Sequence, residues 1–190
     1  MTAMVPGREC GSCNICCIIP AIDRPDIQKI SGATCRNCTA SGCAIYEARP
    51  EVCQSYYCGW RRLEMIDADW RPDLCGVLVE LDVGTIPPQY SANFGLVLIL
   101  VGNPLRTVSE PRFLDFVARC VAGNMMVSLG LPGPHGKQSA QLPLNTKPMM
   151  EATRRSRTEV RLLLEKILKR LSGHEFIPYV MENHGQDFST

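Results

Sequence analysis

Phe94-Gly-Leu-Val-Leu-Ile-Leu-Val101, closed by Gly102-Asn103-Pro104, is a continuous apolar run bounded by chain breakers. A run of this length suits a strand buried on both faces. It is far too short to cross a bilayer. Upstream, Gly76 to Val83 is rich in Val and Leu with Glu80 and Asp82 interleaved, and reads as a second strand ended by Pro87-Pro88. Downstream, Glu110 to Asn124 opens on Glu-Pro and places Phe113, Phe116, Val117, Cys120 and Val121 on one helical face. Met125 to Leu131 reads as a third strand, Gly130 to Lys137 as a Gly/Pro loop and Ala140 to Leu144 as a fourth strand.

Glu151 to Leu171 then carries Val160, Leu163, Leu164, Ile167, Leu168 and Leu171 as an apolar stripe at helical spacing, with Gly173 as its stop. The order is ββαββα. The expected fold class is α+β, with a small mixed sheet and two packed helices. The last residues are polar and are expected to fray.

North of this unit the texture changes. Of 11 cysteines, nine fall between Cys10 and Cys58, and only Cys75 and Cys120 lie beyond. Gly11, Gly32, Gly42 and Gly59, with Pro20, Pro25 and Pro50, interrupt any long period there. Pro25-Asp-Ile-Gln-Lys-Ile reads as one or two helical turns, Gly59 to Trp70 as a short helix, and Arg71-Pro72-Asp73 as a turn. Residues 1–75 are expected to form a cysteine module and residues 76–190 an α+β unit packed on it. A loop-rich module of this size has little aliphatic content and needs a staple. Ile15, Ile18, Ile19, Ile45, Tyr46, Tyr56, Tyr57 and Trp60 are expected to cover one side of its site and join it to the larger unit.

With Lys+Arg 20 against Asp+Glu 19, the net charge of +1 gives no global reason to expect nucleic acid or an anionic membrane as partner. Met1 to Glu9 lacks the features of a secretory signal, so the expected compartment is the cytoplasm, where thiols stay reduced. There a dense cysteine cluster is more often a metal site than a disulfide scaffold, and an odd total fits complete pairing poorly.

The spacing is Cys10-x2-Cys13-x2-Cys16-Cys17, then Cys35-x2-Cys38-x4-Cys43, then Cys53 and Cys58. A two-residue gap lets consecutive thiolates curl round one cation. Repeated, it presents Cys10, Cys13 and Cys16 to one centre, as bacterial-type iron–sulfur loops do, and leaves Cys17 for a second. Cys35, Cys38 and Cys43 form another three-ligand set, and Cys53 and Cys58 remain to complete either centre. His135, His174 and His184 are all distant in sequence, so the expected site is all-thiolate. Soft sulfur ligands select zinc, iron–sulfur or Cu(I). Two four-thiolate centres would leave one cysteine over; three zinc ions could share all nine through bridging sulfurs. A four-thiolate zinc centre is dianionic, and Arg36, Arg49, Arg61 or Arg62 is expected to offset it.

Cys-Gly-Ser-Cys-Asn-Ile-Cys-Cys (10–17), Cys35-Arg-Asn-Cys38, Gly42-Cys43-Ala-Ile45-Tyr46-Glu-Ala-Arg49-Pro50-Glu-Val-Cys53 and Tyr57-Cys58-Gly-Trp60 together resemble the YkgJ-type cysteine-cluster proteins. These carry a CxxCxxCC domain described as zinc- or iron-chelating. The resemblance covers about Cys10 to Trp60 and implies metal chelation. A similar cysteine pattern occurs in flagellin lysine-methylating proteins, although no methyl-donor loop is evident in this chain.

Other signals read as structural. Gly130-Leu-Pro-Gly-Pro-His-Gly-Lys137 misses the phosphate-loop spacing by one and lacks its Ser or Thr. The basic last helix has Glu151–Arg155 and Glu165–Lys169 at the favourable four-residue spacing, which suits a solvated face. Met125-Met126 and Met149-Met150 suit packing, His135 a loop, and Cys120 a buried thiol. The expected function is chelation of zinc by a multi-thiolate cluster, in a structural or adaptor role. The alternative is an iron–sulfur protein with a redox or catalytic role, acting on another protein. The expected partners are a metal ion and another protein.

Overall fold

The structure, a computed structural model, describes residues 4–182. It is an α+β fold built on a four-stranded mixed sheet. The terminal residues expected to fray, from 183 onward, lie outside the described residues, as does His184.

The first part of the chain is made of short pieces. A 3-10 turn (Ile15–Cys17) precedes β1 (Ile22–Arg24) and β2 (Ile27–Lys29), which pair antiparallel. The stretch expected as helical turns from Pro25 is therefore a hairpin. Its reason is period two: Ile27 and Lys29 bury on one side of the strand. β3 (Cys38–Thr39) and β4 (Gly42–Cys43) form a second hairpin. A 3-10 turn (Tyr46–Ala48) leads to α1 (Glu51–Ser55), α2 (Gly59–Arg62), a 3-10 turn (Ala68–Trp70) and α3 (Pro72–Cys75). The helix expected over Gly59 to Trp70 is thus two short turns, and the expected turn at Arg71-Pro72-Asp73 opens a third. Pro72 sits at the start of α3, where its missing N–H costs nothing, and Gly76 ends it at φ 72°.

The sheet follows in the expected order. β5 (Val77–Asp82) and β6 (Gly95–Leu100) pair antiparallel. α4 (Pro104–Thr107) and α5 (Pro111–Ala122) carry the chain over to β7 (Val127–Leu131), which lies parallel to β6. β8 (Ala140–Pro143) pairs antiparallel with β7 and forms the far edge. The single long helix expected from Glu151 is two: α6 (Lys147–Arg155) and α7 (Arg157–Ser172). Ser156 separates them in extended conformation, and its hydroxyl accepts the Glu159 N–H at 3.2 Å. This Ser-x-x-Glu start is a helix N-terminus inside one apolar period. Gly173 ends α7 at φ −90°, so the stop expected there needs no left-handed residue.

The two faces of the sheet have different cover. Val77, Val79, Leu96, Leu98, Leu100, Val127 and Leu129 join one core with Phe113, Phe116, Val117, Leu164 and Leu168 of α5 and α7. Trp60, Leu63, Ile66 and Trp70 belong to that same core, with Trp70 packed 4.6 Å from the Phe116 ring centroid. On the opposite face Leu78 and Ile99 stand across from one another and are both buried. The cysteine-bearing loops reach both faces at β5: Gly59 lies against Val79, while Tyr56 donates to Glu80 at 3.1 Å and Leu78 lines the cavity described below. After α7 the chain returns past the β7–β8 loop to the β1–β2 hairpin. Tyr179 N–H donates to the Gly136 carbonyl at 2.9 Å, and Glu182 N–H to Asp23 at 2.7 Å.

On the outer helix the ion pairs are Arg155–Glu159 at 3.3 Å, Arg161–Glu165 at 3.7 Å and Arg157–Asp115 at 2.6 Å. They replace the pairings expected for Glu151 and Glu165. Among the described residues no helix is long and apolar enough to cross a membrane.

Candidate metal centre

Two of the three Cys-x2-Cys segments fold as the same tight turn. Cys13 N–H donates to the Cys10 carbonyl at 2.9 Å, and Cys38 N–H to the Cys35 carbonyl at 2.9 Å. The 3-10 turn at Ile15–Cys17 follows the first directly, with Cys17 N–H on the Asn14 carbonyl. Cys35 N–H then donates to the Cys17 carbonyl at 2.9 Å, which holds the two cysteine segments side by side. Gly42 fixes the hairpin against the first turn. It has φ 117°, and a Cβ there would meet the Gly11 carbonyl oxygen at 2.6 Å. Cys53 is carried by α1 and Cys58 caps the start of α2.

These pieces surround a cavity of about 140 Å³. Cys10, Cys13, Cys16, Cys17, Cys35, Cys43, Cys53 and Cys58 all line it. Cys38 is the one of the nine outside the wall, among the described residues, and its thiol lies beside Cys17. All 11 cysteines are thiols, with none joined in a disulfide. Cys75 and Cys120 are in the core, away from the cavity.

The thiols fall into two neighbourhoods. Cys58 has Cys10 and Cys13 as neighbouring thiols, whereas Cys53 has Cys35, Cys17 and Cys43, with Arg49 beside it. Cys16 stands beside Cys17, and both line the same wall as Cys10 and Cys13. Among the described residues no group of three or more His, Cys, Asp or Glu side chains is arranged to hold a metal ion. The thiols ring the wall and do not converge on a point.

Crowding and burial oppose ionisation. The Cys16 side chain beside it, and then burial, push the Cys17 thiol up strongly. Burial raises Cys13, Cys38 and Cys53, and takes Cys58 to about 11.

Cations stand against this wall. Of the four arginines expected to offset thiolate charge, Arg49 and Arg61 line the cavity, Arg36 is exposed and Arg62 is off the wall. Arg49 lies 3.8 Å over the Tyr46 ring and donates Nε–H to the Tyr46 carbonyl at 2.8 Å. Arg61 is only 8% exposed, stacks 5.5 Å from the Tyr57 ring, and its Nε is buried without a hydrogen-bond partner. Ile15, Ile45, Tyr46, Tyr56, Tyr57 and Trp60 are in the wall as expected, while Ile18 and Ile19 are not.

Three residues at the site carry no signal in the sequence. Lys29 is 6% exposed, and its ammonium donates to the carbonyls of Ile18 at 2.8 Å, Ala33 at 3.0 Å and Ile30 at 3.3 Å, beside Cys35 and Cys17. Arg8 donates to the Trp60 carbonyl at 2.6 Å, the Leu63 carbonyl at 3.1 Å and the Ile66 carbonyl. Arg71 bridges Asp73 at 2.7 and 2.9 Å and Ser12 at 3.4 Å, next to Cys13. A basic residue in a polar loop is read as solvated; only the fold shows these as ties between loops.

In chemical terms the wall offers soft donors, a cationic second layer and aromatic cover. Comparison with known proteins finds no matching family model, no matching curated protein and no matching solved structure, so the resemblance to the YkgJ-type proteins rests on the quoted cysteine motif alone.

Proposed function

We propose that this chain is a metal-binding protein that chelates zinc through a multi-thiolate cluster, in a structural or adaptor role. The observation that carries the reading is selective placement. Eight of the nine clustered cysteines face one cavity, while the two isolated ones are packed into the core. The donor set is all sulfur, which fits zinc or an iron–sulfur centre and not magnesium or calcium. A buried Arg61 with an unpaired Nε, and Lys29 beside Cys35 and Cys17, are compatible with an anionic metal–thiolate centre and costly beside neutral thiols. Since the thiols do not converge, binding requires their short loops to close, and it releases the protons that burial now holds on sulfur. Free thiols at this density fit a reducing compartment, and the proposed location is the cytoplasm. The expected protein partner would meet it as an adaptor.

Metal content of variants tests the assignment. Cys13→Ser and Cys38→Ser should each lose metal and destabilise the loops between Cys10 and Cys58, whereas Cys120→Ala should retain its metal. Full metal content and unchanged melting in both serine variants would remove those sulfurs from the ligand set. Broad visible absorption in anaerobic protein would replace zinc by an iron–sulfur centre.

A further inference from the structure

The β3–β4 hairpin puts two of the sulfurs into a special relation. Cys38 and Cys43 are register partners, and so are Thr39 and Gly42. The next pair outward, Asn37 and Ala44, is hydrogen-bonded: Ala44 N–H donates to the Asn37 carbonyl at 2.8 Å. In an antiparallel ladder hydrogen-bonded and non-hydrogen-bonded pairs alternate, so Cys38 and Cys43 are a non-hydrogen-bonded pair. Their side chains project on one face, and such pairs have Cα atoms about 4.5 Å apart. That lies within the range of about 4.4–6.8 Å that a disulfide spans.

The hairpin is also held shut. The Thr39 hydroxyl donates to the Gly42 carbonyl at 2.9 Å and meets the Ser41 hydroxyl at 3.1 Å. Gly42 is seated on the Gly11 carbonyl, where no side chain fits. The two sulfurs differ in position. Cys43 is in the cavity wall, and Cys38 is outside it, with its Sγ 3.8 Å from the Thr39 carbonyl at the surface of the hairpin. Cys38 is therefore the outer sulfur of the pair, and Cys43 the one that borders the cavity.

We propose that Cys38 and Cys43 form a reversible disulfide by exchange with a low-molecular-weight disulfide, and that closing it withdraws both sulfurs from the metal set. The Cys38 thiolate attacks the S–S bond of glutathione disulfide and expels one glutathione thiolate. Cys43 then attacks the mixed disulfide at the Cys38 sulfur and expels the second. One protein S–S bond forms and one small-molecule S–S bond breaks. The two protons lost from the cysteines end on the two glutathione thiols, and the two electrons reduce the small disulfide. The exchange needs only the hairpin; its effect on metal rests on the function proposed above.

The experiment uses the full chain, prepared anaerobically with whatever metal it holds. It is exposed to glutathione disulfide, quenched with iodoacetamide at intervals and cleaved with trypsin. The Arg49–Pro50 bond resists trypsin, so one peptide runs from Asn37 to Arg61 and contains Cys38, Cys43, Cys53 and Cys58. The expected result is early loss of two alkylatable thiols per chain, with fragment masses placing the bond between Cys38 and Cys43, and metal leaving in step. Cys17→Ser should form the same bond, and Cys43→Ser should stop at the glutathione adduct of Cys38. A first bond from Cys38 to Cys17, or between any other pair, overturns the proposal even in fully metallated protein. Complete Cys38–Cys43 oxidation with metal retained overturns the release step. The same bond formed in protein that holds no metal supports the pair and tells against the metal reading.

Discussion

Cys120 and Cys75 show how position decides the chemistry of a thiol. Burial raises Cys120 from 9.0 to about 12 and Cys75 from 9.0 to about 11. Between the ordinary and the raised value the unfolded chain has lost a proton that the native chain keeps. The unfolded state then binds fewer protons, so stability falls as pH rises through that window. Each group contributes a slope of up to about 1.4 kcal/mol per pH unit. Urea unfolding across the alkaline range should show that decline, and Cys120→Ala should have the shallower slope of the two proteins. Equal slopes would mean that the Cys120 thiol ionises freely in the native state. Arg61 gives the second expectation at this scale. Arg61→Met should weaken metal binding about 10- to 100-fold in a chelator competition, with Arg61→Lys in between. Equal affinities would show that its buried charge is compensated elsewhere. Lys29 marks what could not be read from residues alone: beside the carbonyls of Ile30 and Ala33 in its own segment it reaches that of Ile18 in the preceding one.

At the scale of elements, long periodic segments were legible and short ones were not. Phe94 to Val101 contains β6, and the apolar face expected around Cys120 is α5. The β1–β2 hairpin has strands of 3 residues, too few for an alternation to be distinguished from a helical turn. The break at Ser156 was hidden because the apolar stripe from Val160 onward is itself continuous. Its signal, Ser156 followed by Glu159, was present in the sequence. Ser156→Ala should cost about 1 kcal/mol, because it removes the hydroxyl that accepts the first-turn N–H of α7. A thermal melt unchanged from the parent would show that α6 and α7 hold their joint by packing. Gly42→Ala should be worse, by more than about 1 kcal/mol, since it places a Cβ against the Gly11 carbonyl at a positive φ. The cysteine spacing made the two tight turns legible. It did not reveal that Cys58 stands with Cys10 and Cys13, because the chain from α1 to α2 loops back over the cavity.

For the whole molecule, an apolar core and a set of cysteine-bearing loops divide the labour. The sheet with α5 and α7 has an ordinary apolar core. Beside it lie loops whose interior is sulfur and aromatic rings round a cavity of about 140 Å³. On the proposed reading, metal binding there would be folding free energy for the loops. A strong chelator should therefore strip hydrogen-exchange protection between Cys10 and Cys58 and leave β5–β8 protected. Uniform loss would make the sheet dependent on the metal as well. The most direct measurement is elemental analysis with thiol titration of full-length protein purified without oxygen. Zinc in fixed stoichiometry, colourless, with the clustered thiols released to a thiol reagent only after denaturation or chelation, is the result expected. Protein free of zinc and iron, its amino-terminal sulfurs all titrating at once or already oxidised in pairs, would contradict it.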